Sequence, residues 1–249
     1  HTANRRQRQM CIRDRLFVWV QANSVFAKLS FPKTVSSVEA AHTETGHLAM
    51  CGGNACVARK NDGTVVAWGL SSSGGDAPSG LTDVADAMCG WWACVARKND
   101  GTVAAWGYAQ AGTAPSGLTN VADAMCGYYA CVVRKTDGTA VAWGSYYNGG
   151  NPPSGLTNVA DAMCGEKACV ARKNDGTVVA WGEHDKGGTA PGGLTDVADA
   201  MCGGSVCLAR KNDGTVVAWG WNDYGGTAPS GLTNVCLLYT SPSPRDSIR

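Results

Sequence analysis

The sequence predicts an all-β protein: a β-propeller-like array of five blades, each a three- to four-stranded antiparallel sheet, in an incomplete ring. Three observations predict it. One pattern of about 38 residues occurs five times; each copy reads as short Val- and Ala-rich runs between tight-turn residues; and no segment places apolar residues at helical spacing over a dozen positions. Trp-Gly recurs at Trp68, Trp106, Trp143, Trp181 and Trp219, with spacings of 38, 37, 38 and 38. Met-Cys-Gly begins at Met50, Met88, Met125, Met163 and Met201 with the same spacings.

Within one copy, Val84-Ala-Asp-Ala-Met-Cys89 is the first strand, and Gly90 with two variable residues turns the chain. Ala93-Cys-Val-Ala-Arg-Lys98 is the second strand. Asn99-Asp-Gly101 makes a hairpin, because these residue types tolerate the positive φ of tight turns. Val103-Ala-Ala-Trp-Gly107 is the third strand, and a Gly-rich stretch ending in Pro115-Ser-Gly-Leu-Thr119 leads to the next copy. The strands show little polar alternation, as expected when small sheets bury both faces by stacking. One aromatic motif per unit points to propeller blades. A β-solenoid fits less well, since its coils of ~20–30 residues are shorter than this unit.

Composition narrows the function classes. The chain has 249 residues, 12 of them Cys, and a net charge of +1. No run of roughly 18 apolar residues is present to form a membrane-spanning helix. Both ends look foreign. Met10-Cys-Ile-Arg-Asp14 and Cys236-Leu-Leu-Tyr-Thr240 can be encoded by one DNA element read in opposite orientations. They resemble a translated sequencing-library adapter. We therefore expect residues 1–15 and 236–249 to be non-native, 16–44 to be a leader of uncertain origin, and 45–235 to be the five-repeat domain. The two ends hold seven Arg against two Asp; subtracting these from 21 basic and 20 acidic groups leaves 14 and 18. A mildly acidic body lacks the clustered basic face of a phosphate-backbone binder, so nucleic acid and membrane are not expected partners.

Asp-Gly-Thr-Val-x-Ala-Trp-Gly, preceded by Cys-Gly-x-x-Ala-Cys-Val-Ala, resembles the regulator of chromosome condensation repeat over residues 45–235. The resemblance implies a propeller, and members of that family serve as recognition, inhibitor and signalling modules. Two departures matter. The His that members often carry before the second strand is Ala55, Ala93, Ala130, Ala168 or Val206 here. No segment resembles the exchange-factor wedge of the founding member. The array also stops in phase after Val235, which suggests a fragment of a longer array.

Ten Cys fall in five pairs at i, i+5: Cys51/Cys56, Cys89/Cys94, Cys126/Cys131, Cys164/Cys169 and Cys202/Cys207. Facing each other across a hairpin, their Cα atoms would lie ~4.5 Å apart, at the short edge of disulfide geometry. Buried thiols are the favoured reading, with an intracellular setting; hairpin disulfides come second and a metal site last. Asp86, Asp123, Asp161 and Asp199 share one strand position, and pairing with a basic neighbour is favoured over a ring of cation ligands. No catalytic residue, cofactor or metal is expected. His42, His47 and His184 occupy no repeated position, and no nucleophile elbow or phosphate loop is present.

The copies differ in two places. One is the first turn: Gly53-Asn54, Trp91-Trp92, Tyr128-Tyr129, Glu166-Lys167 and Gly204-Ser205. The other follows Trp-Gly: Leu70-Ser-Ser-Ser73, Tyr108-Ala-Gln110, Ser145-Tyr-Tyr-Asn148, Glu183-His-Asp-Lys186 and Trp221-Asn-Asp-Tyr224. Strand polarity puts both sets at one rim and the Asn-Asp-Gly turns at the other. The expected protein-binding face is Trp91, Trp92, Tyr108, Tyr128, Tyr129, Tyr146, Tyr147, Glu166, Lys167, His184, Trp221 and Tyr224. These aromatics should be more exposed than the five Trp-Gly tryptophans. The alternatives are a regulatory exchange factor for a small GTPase, or a light or ligand sensor. The latter rests on Gly90-Trp91, which is similar to the Gly-Trp motif of plant ultraviolet-B receptor propellers.

Overall fold

Each repeat folds as one three-stranded antiparallel sheet with its strands in chain order, in a computed structural model that describes residues 48–236. The leader, the adapter-like segments other than Cys236, His42 and His47 lie outside the described residues. Blade 1 holds β1 (Leu48–Cys51), β2 (Ala55–Arg59) and β3 (Val65–Gly69). Blade 2 holds β4 (Val84–Cys89), β5 (Ala93–Lys98) and β6 (Val103–Gly107). Blade 3 holds β7 (Val121–Cys126), β8 (Ala130–Lys135) and β9 (Ala140–Gly144). Blade 4 holds β10 (Val159–Cys164), β11 (Ala168–Lys173) and β12 (Val178–Gly182). Blade 5 holds β13 (Val197–Cys202), β14 (Val206–Lys211) and β15 (Val216–Gly220). The expectation of three to four strands per blade resolves to three.

Local chemistry sets each register. Gly90 N–H donates to the Ala93 carbonyl at 2.8 Å, so Trp91 and Trp92 form a two-residue turn. In the second hairpin, only the glycine adopts positive φ (79° at Gly63), and the preceding Asn and Asp do not. The Asp instead anchors the turn: the Thr64 backbone N–H donates to Asp62 Oδ1 at 2.9 Å and the Thr64 hydroxyl at 2.6 Å. The same pair of bonds recurs at Asp100/Thr102, Asp137/Thr139, Asp175/Thr177 and Asp213/Thr215. A bulge between Val84 and Asp86 sets Asp86 opposite Arg97, and blades 3 to 5 repeat it.

The core lies between blades. Against blade 1's Ala55 and Val57 pack blade 2's Ala87, Cys89, Cys94, Ala96 and Trp106. Blade 4's Ala168 and Val170 meet Cys202, Cys207, Ala209 and Trp219 of blade 5 in the same way. Each buried Trp also finds a partner for its indole N–H in the blade before it. Trp106 donates to the Gly74 carbonyl, Trp143 to Ala111 and Trp181 to Gly149, each at 2.8 Å, and Trp219 to Gly187 at 2.9 Å. The seam admits no side chain at the first turn. A Cβ on Gly52, Gly90, Gly127 or Gly165 would lie 1.7–2.4 Å from the glycine carbonyl oxygen of the next blade.

Two expectations change. The five Cys pairs are disulfides, not buried thiols. The hydrogen-bonded pair closing each turn, Gly–Ala in blades 1 to 4 and Gly203–Val206 in blade 5, holds the neighbouring Cα atoms 3.9–4.0 Å apart, with both side chains on one face, so the sulfurs meet. Nor are all five Trp-Gly tryptophans buried: four are 5–6% exposed, but Trp68 is 47% exposed. The indole partner in its counterparts comes from a preceding blade, and Trp68 sits in the first described one. Gly225 mirrors this at the other end. A Cβ there meets nothing, whereas at Gly74, Gly149 and Gly187 it would strike a Cys sulfur of the next blade. Blade 1 and blade 5 therefore do not close on each other.

Trp143→Ala removes a buried aromatic and a seam hydrogen bond, and should cost ~3–5 kcal/mol in a denaturant titration. Trp68→Ala should cost less than about 1 kcal/mol, because the side chain is already largely in water. Alkylation of unreduced, denatured protein should leave all ten paired cysteines unlabelled. Ten labelled cysteines would return the pairs to thiols.

Candidate functional site

The seam that fixes the blades also aligns their variable turns. Trp91 N–H donates to the Gly127 carbonyl at 3.1 Å, Tyr128 N–H to Gly165 at 3.0 Å and Glu166 N–H to Gly203 at 2.8 Å. The first turn residue of each blade is thus carried beside that of the next. Trp91 and Tyr128 stack with ring centroids 4.7 Å apart and planes 16° off parallel. On its other side, Trp91 covers Gly53, where a Cβ would enter the indole at 2.2 Å. Gly53 is a site residue that sequence reasoning passed over. Its missing side chain makes the space that the Trp fills.

The second variable set comes to the same rim. The residue after each Trp-Gly donates its N–H to the carbonyl of the second turn residue: Leu70 to Asn54, Tyr108 to Trp92, Ser145 to Tyr129, Glu183 to Lys167 and Trp221 to Ser205, at 2.8–3.0 Å. The Asn/Thr-Asp-Gly turns lie at the opposite strand ends, where the Gly63 carbonyl accepts from Val84 N–H of the next blade.

The expected rim resolves into three groups rather than one band. Trp91, Trp92, Tyr108, Tyr128 and Tyr129 form a continuous cluster across blades 2 and 3. Lys167 extends it, its ammonium 5.3 Å from the Tyr129 ring centroid and 3.5 Å from Glu166. Tyr146 and Tyr147 form a separate edge-to-face pair on blade 3, 67% and 76% exposed. Trp221 and Tyr224 form the third group on blade 5, with Lys186 over the Trp221 ring at 4.9 Å. His184 is exposed and its Nδ1 lies 2.7 Å from Asp185. Within the main cluster, Trp91 and Tyr108 are 41% and 48% exposed, while Trp92, Tyr128 and Tyr129 are half-buried because they pack on one another. Partial burial, with Tyr129 beside it, holds the Tyr128 phenol above its ordinary value of 10.0. That phenol is uncharged at neutral pH.

The repeated acidic position is occupied by ion pairs. Arg97 Nε donates to Asp86 Oδ2 at 2.9 Å, and a second guanidinium nitrogen reaches the same oxygen. Arg134–Asp123, Arg172–Asp161 and Arg210–Asp199 repeat the arrangement. Each carboxylate therefore has its own cation within its blade, as the sequence suggested, rather than sharing an ion with its neighbours. Blade 1 has Leu48 at this position, and its Arg59 donates instead to the Val84 carbonyl at 2.6 Å.

Stacked small sheets, one Trp seam per blade and a hairpin tied by Asp-Gly-Thr describe a known architecture. The chain has the fold of the regulator of chromosome condensation propellers. It is similar to Prp20p of Saccharomyces cerevisiae, whose structure was described with its binding to Gsp1p and histones, at 15% identity and a TM-score of 0.53 over 69% of this chain and 56% of that one. Human WBSCR16 is similar at 15% identity and a TM-score of 0.53, over 69% of this chain and 61% of that one. The ectodomain of the Arabidopsis thaliana receptor kinase ACR4 is similar at 17% identity and 0.54, over 87% of this chain and 73% of that one. No protein-family model matches the chain, and no curated protein aligns with it significantly. The propeller spans 56–61% of Prp20p and WBSCR16.

The constant rim of this propeller carries a pH prediction. The Thr hydroxyl and backbone N–H bonds hold the carboxyls of Asp62, Asp100, Asp137, Asp175 and Asp213 below the ordinary value of 3.8. A carboxyl lowered in the fold stabilises it fully above the unfolded value, and that contribution is lost as pH falls through the folded one. Asp86 runs the other way, its pKa raised by burial against the opposing pull of Arg97. With five lowered carboxyls, the melting midpoint should fall as pH drops below about 4. Asp175→Asn should flatten that slope; an unchanged slope would show that these turns do not couple to protonation.

Proposed function

We propose that this chain is a non-enzymatic protein-interaction module of an oxidising compartment, binding its partner through the aromatic cluster on the variable rim. One observation carries the reading: five aromatic side chains from two adjacent blades form a continuous, partly exposed cluster on turns pinned by inter-blade backbone hydrogen bonds. Aromatic anchors held by a rigid scaffold lose little conformational entropy when a partner covers them, which is why such residues dominate binding hot spots. Prp20p, which has the same fold, was described by what it binds, and ACR4 contributes its propeller as a receptor ectodomain. The compartment follows from five disulfides, which persist where thiols are not kept reduced. This reverses the intracellular setting expected from thiols.

The test uses capture from extracellular or secretory-pathway material of the native source. Trp91→Ala with Tyr108→Ala removes the two most exposed members of the cluster. Capture of the partner should weaken by ~2 kcal/mol or more, about thirtyfold. Thermal stability should fall by no more than ~1–2 kcal/mol, the scale of lost aromatic pairing. Asp137→Ala on the opposite rim should leave capture intact. Equal loss with Asp137→Ala, or none with the aromatic pair, would reject the rim as the binding face.

A further inference from the structure

An Asn or Asp followed by Gly can alter its own chain without an enzyme, because glycine has no Cβ to keep its backbone nitrogen from the neighbouring side-chain carbonyl. The chain has six such pairs: the five Asp-Gly turns of the constant rim and Asn148-Gly149. Five of the six are locked. Gly63, Gly101, Gly138 and Gly176 each donate their N–H to the Lys carbonyl three residues back at 3.0 Å, and Gly214 does so at 2.9 Å. Each carboxylate in these turns is held by the backbone N–H and hydroxyl of its Thr. Asn148-Gly149 has neither restraint. It ends the 3₁₀ turn Tyr146–Asn148 on the variable rim, and Asn148 is half-buried beside the exposed Tyr147. In the same turn of blades 1 and 5 the glycine N–H is bonded, Gly74 to Ser71 at 3.1 Å and Gly225 to Asn222 at 3.2 Å. Among the described residues, the Gly149 N–H has no such acceptor, and the Asn148 carboxamide makes no hydrogen bond. Blades 1, 4 and 5 carry Ser73, Lys186 and Tyr224 at this position, and none of those can cyclise.

We propose that Asn148 is a self-modification site whose conversion loosens the seam between blades 3 and 4. The Gly149 backbone nitrogen gives its proton to hydroxide and attacks Asn148 Cγ. A new C–N bond forms, the bond from Cγ to the side-chain nitrogen breaks, and that nitrogen leaves as ammonia after taking a proton from water. Water then opens the five-membered imide. Opening at Cγ gives an aspartate at position 148 on an unchanged backbone. Opening at the main-chain carbonyl gives an isoaspartate, in which the chain runs through Cβ and Cγ and is one atom longer. The net change is water in and ammonia out, with nothing oxidised or reduced. The consequence follows from what Gly149 does in the fold. Its carbonyl accepts the Trp181 indole N–H at 2.8 Å, and a Cβ on it would lie 2.2 Å from Cys169 Sγ, so the backbone there has no slack. An extra main-chain atom directly before Gly149 moves that carbonyl away from Trp181 and leaves a buried donor unsatisfied. The aspartate product only adds one negative charge beside Tyr147. Neither product involves the aromatic cluster of blades 2 and 3, so this site stands or falls separately from the proposed function.

The full 249-residue chain, incubated in mildly alkaline buffer and sampled by peptide mapping with mass detection of deamidation and isoaspartate, tests it. Asn148 should convert faster than every other Asn of the five repeats, and the five Asp-Gly turns should stay aspartate. In the aged chain the Trp181 indole N–H signal should split in NMR spectra. The isoaspartate fraction should lose protection from solvent exchange at Trp181, while Trp106 and Trp143 keep theirs. Asn148→Ser, which places the blade 1 residue in blade 3, should abolish the conversion and keep Trp181 protected through the same incubation. Asn148→Gln is a second block if the Ser variant melts early. Freshly purified Asn148→Asp should also keep Trp181 protected, because it adds the charge without lengthening the chain. An Asn148 that stays intact, or that converts no faster than the Asp-Gly turns, would overturn the proposal. So would an isoaspartate form with Trp181 still protected, or an Asn148→Asp chain that has already lost that protection.

Discussion

The indole N–H of one blade reaching a loop carbonyl of the blade before it is the interaction on which the rest of the structure depends. For that bond to form, the two sheets must approach until glycine backbone meets glycine backbone at the first turn. The approach places the disulfide and Trp of one blade against the apolar side chains of its neighbour. A buried indole without a partner would leave a donor unsatisfied, so the carbonyl decides the spacing of the blades as well as their stability. Blade 2 shows how tightly this is held. Its loop after Trp106 is one residue shorter, giving the single spacing of 37, yet Ala111 delivers its carbonyl where Gly74 does in blade 1.

The same seam makes a scaffold on which variation is tolerated at one rim. Each blade contacts its neighbours chiefly through constant residues, so stability is close to a sum of repeated units and interfaces. Turn residues beyond the glycine carry little of that load and are free to differ. The inter-blade backbone bonds from Trp91, Tyr128 and Glu166 then set the variable positions in register from blade to blade. Doubled aromatics in adjacent copies become one stacked cluster. On blade 4 the same two positions hold Glu166 and Lys167, and the cluster ends in a charged pair.

The disulfides connect local and tertiary structure. Each bridges neighbouring positions of a single hairpin and closes a short loop, so on the chain-entropy model it stabilises by roughly 2 kcal/mol. Those of blades 2 to 5 also lie in inter-blade cores, where Cys94, Cys131, Cys169 and Cys207 are fully buried. A bridge there is compact and free of unpaired polar groups. The i, i+5 spacing places the two sulfurs on one face, but spacing alone leaves thiol and disulfide both open. The folded hairpin brings the two Cα atoms to 3.9–4.0 Å with both side chains on one face, and the sulfurs are bonded.

Much of the fold was legible because the repeat multiplies weak signals. One Asp-Gly-Thr turn or one Trp-Gly is ambiguous, and five in phase are not. Strand identity, turn position, the Asp–Arg pairing and the shared rim of the two variable sets all follow from pattern and polarity within a single repeat. The sequence by itself determined those. Three things required the tertiary structure. The exposure of Trp68 depends on which blade stands before it. The division of the rim into one cluster and two pairs depends on distances between blades, as does the seating of Trp91 over Gly53. The physical reason is common to all three. Period and polarity fix where a side chain leaves its own sheet, whereas what it meets is decided by the spacing and rotation of the next sheet, which the seam sets and no single repeat contains.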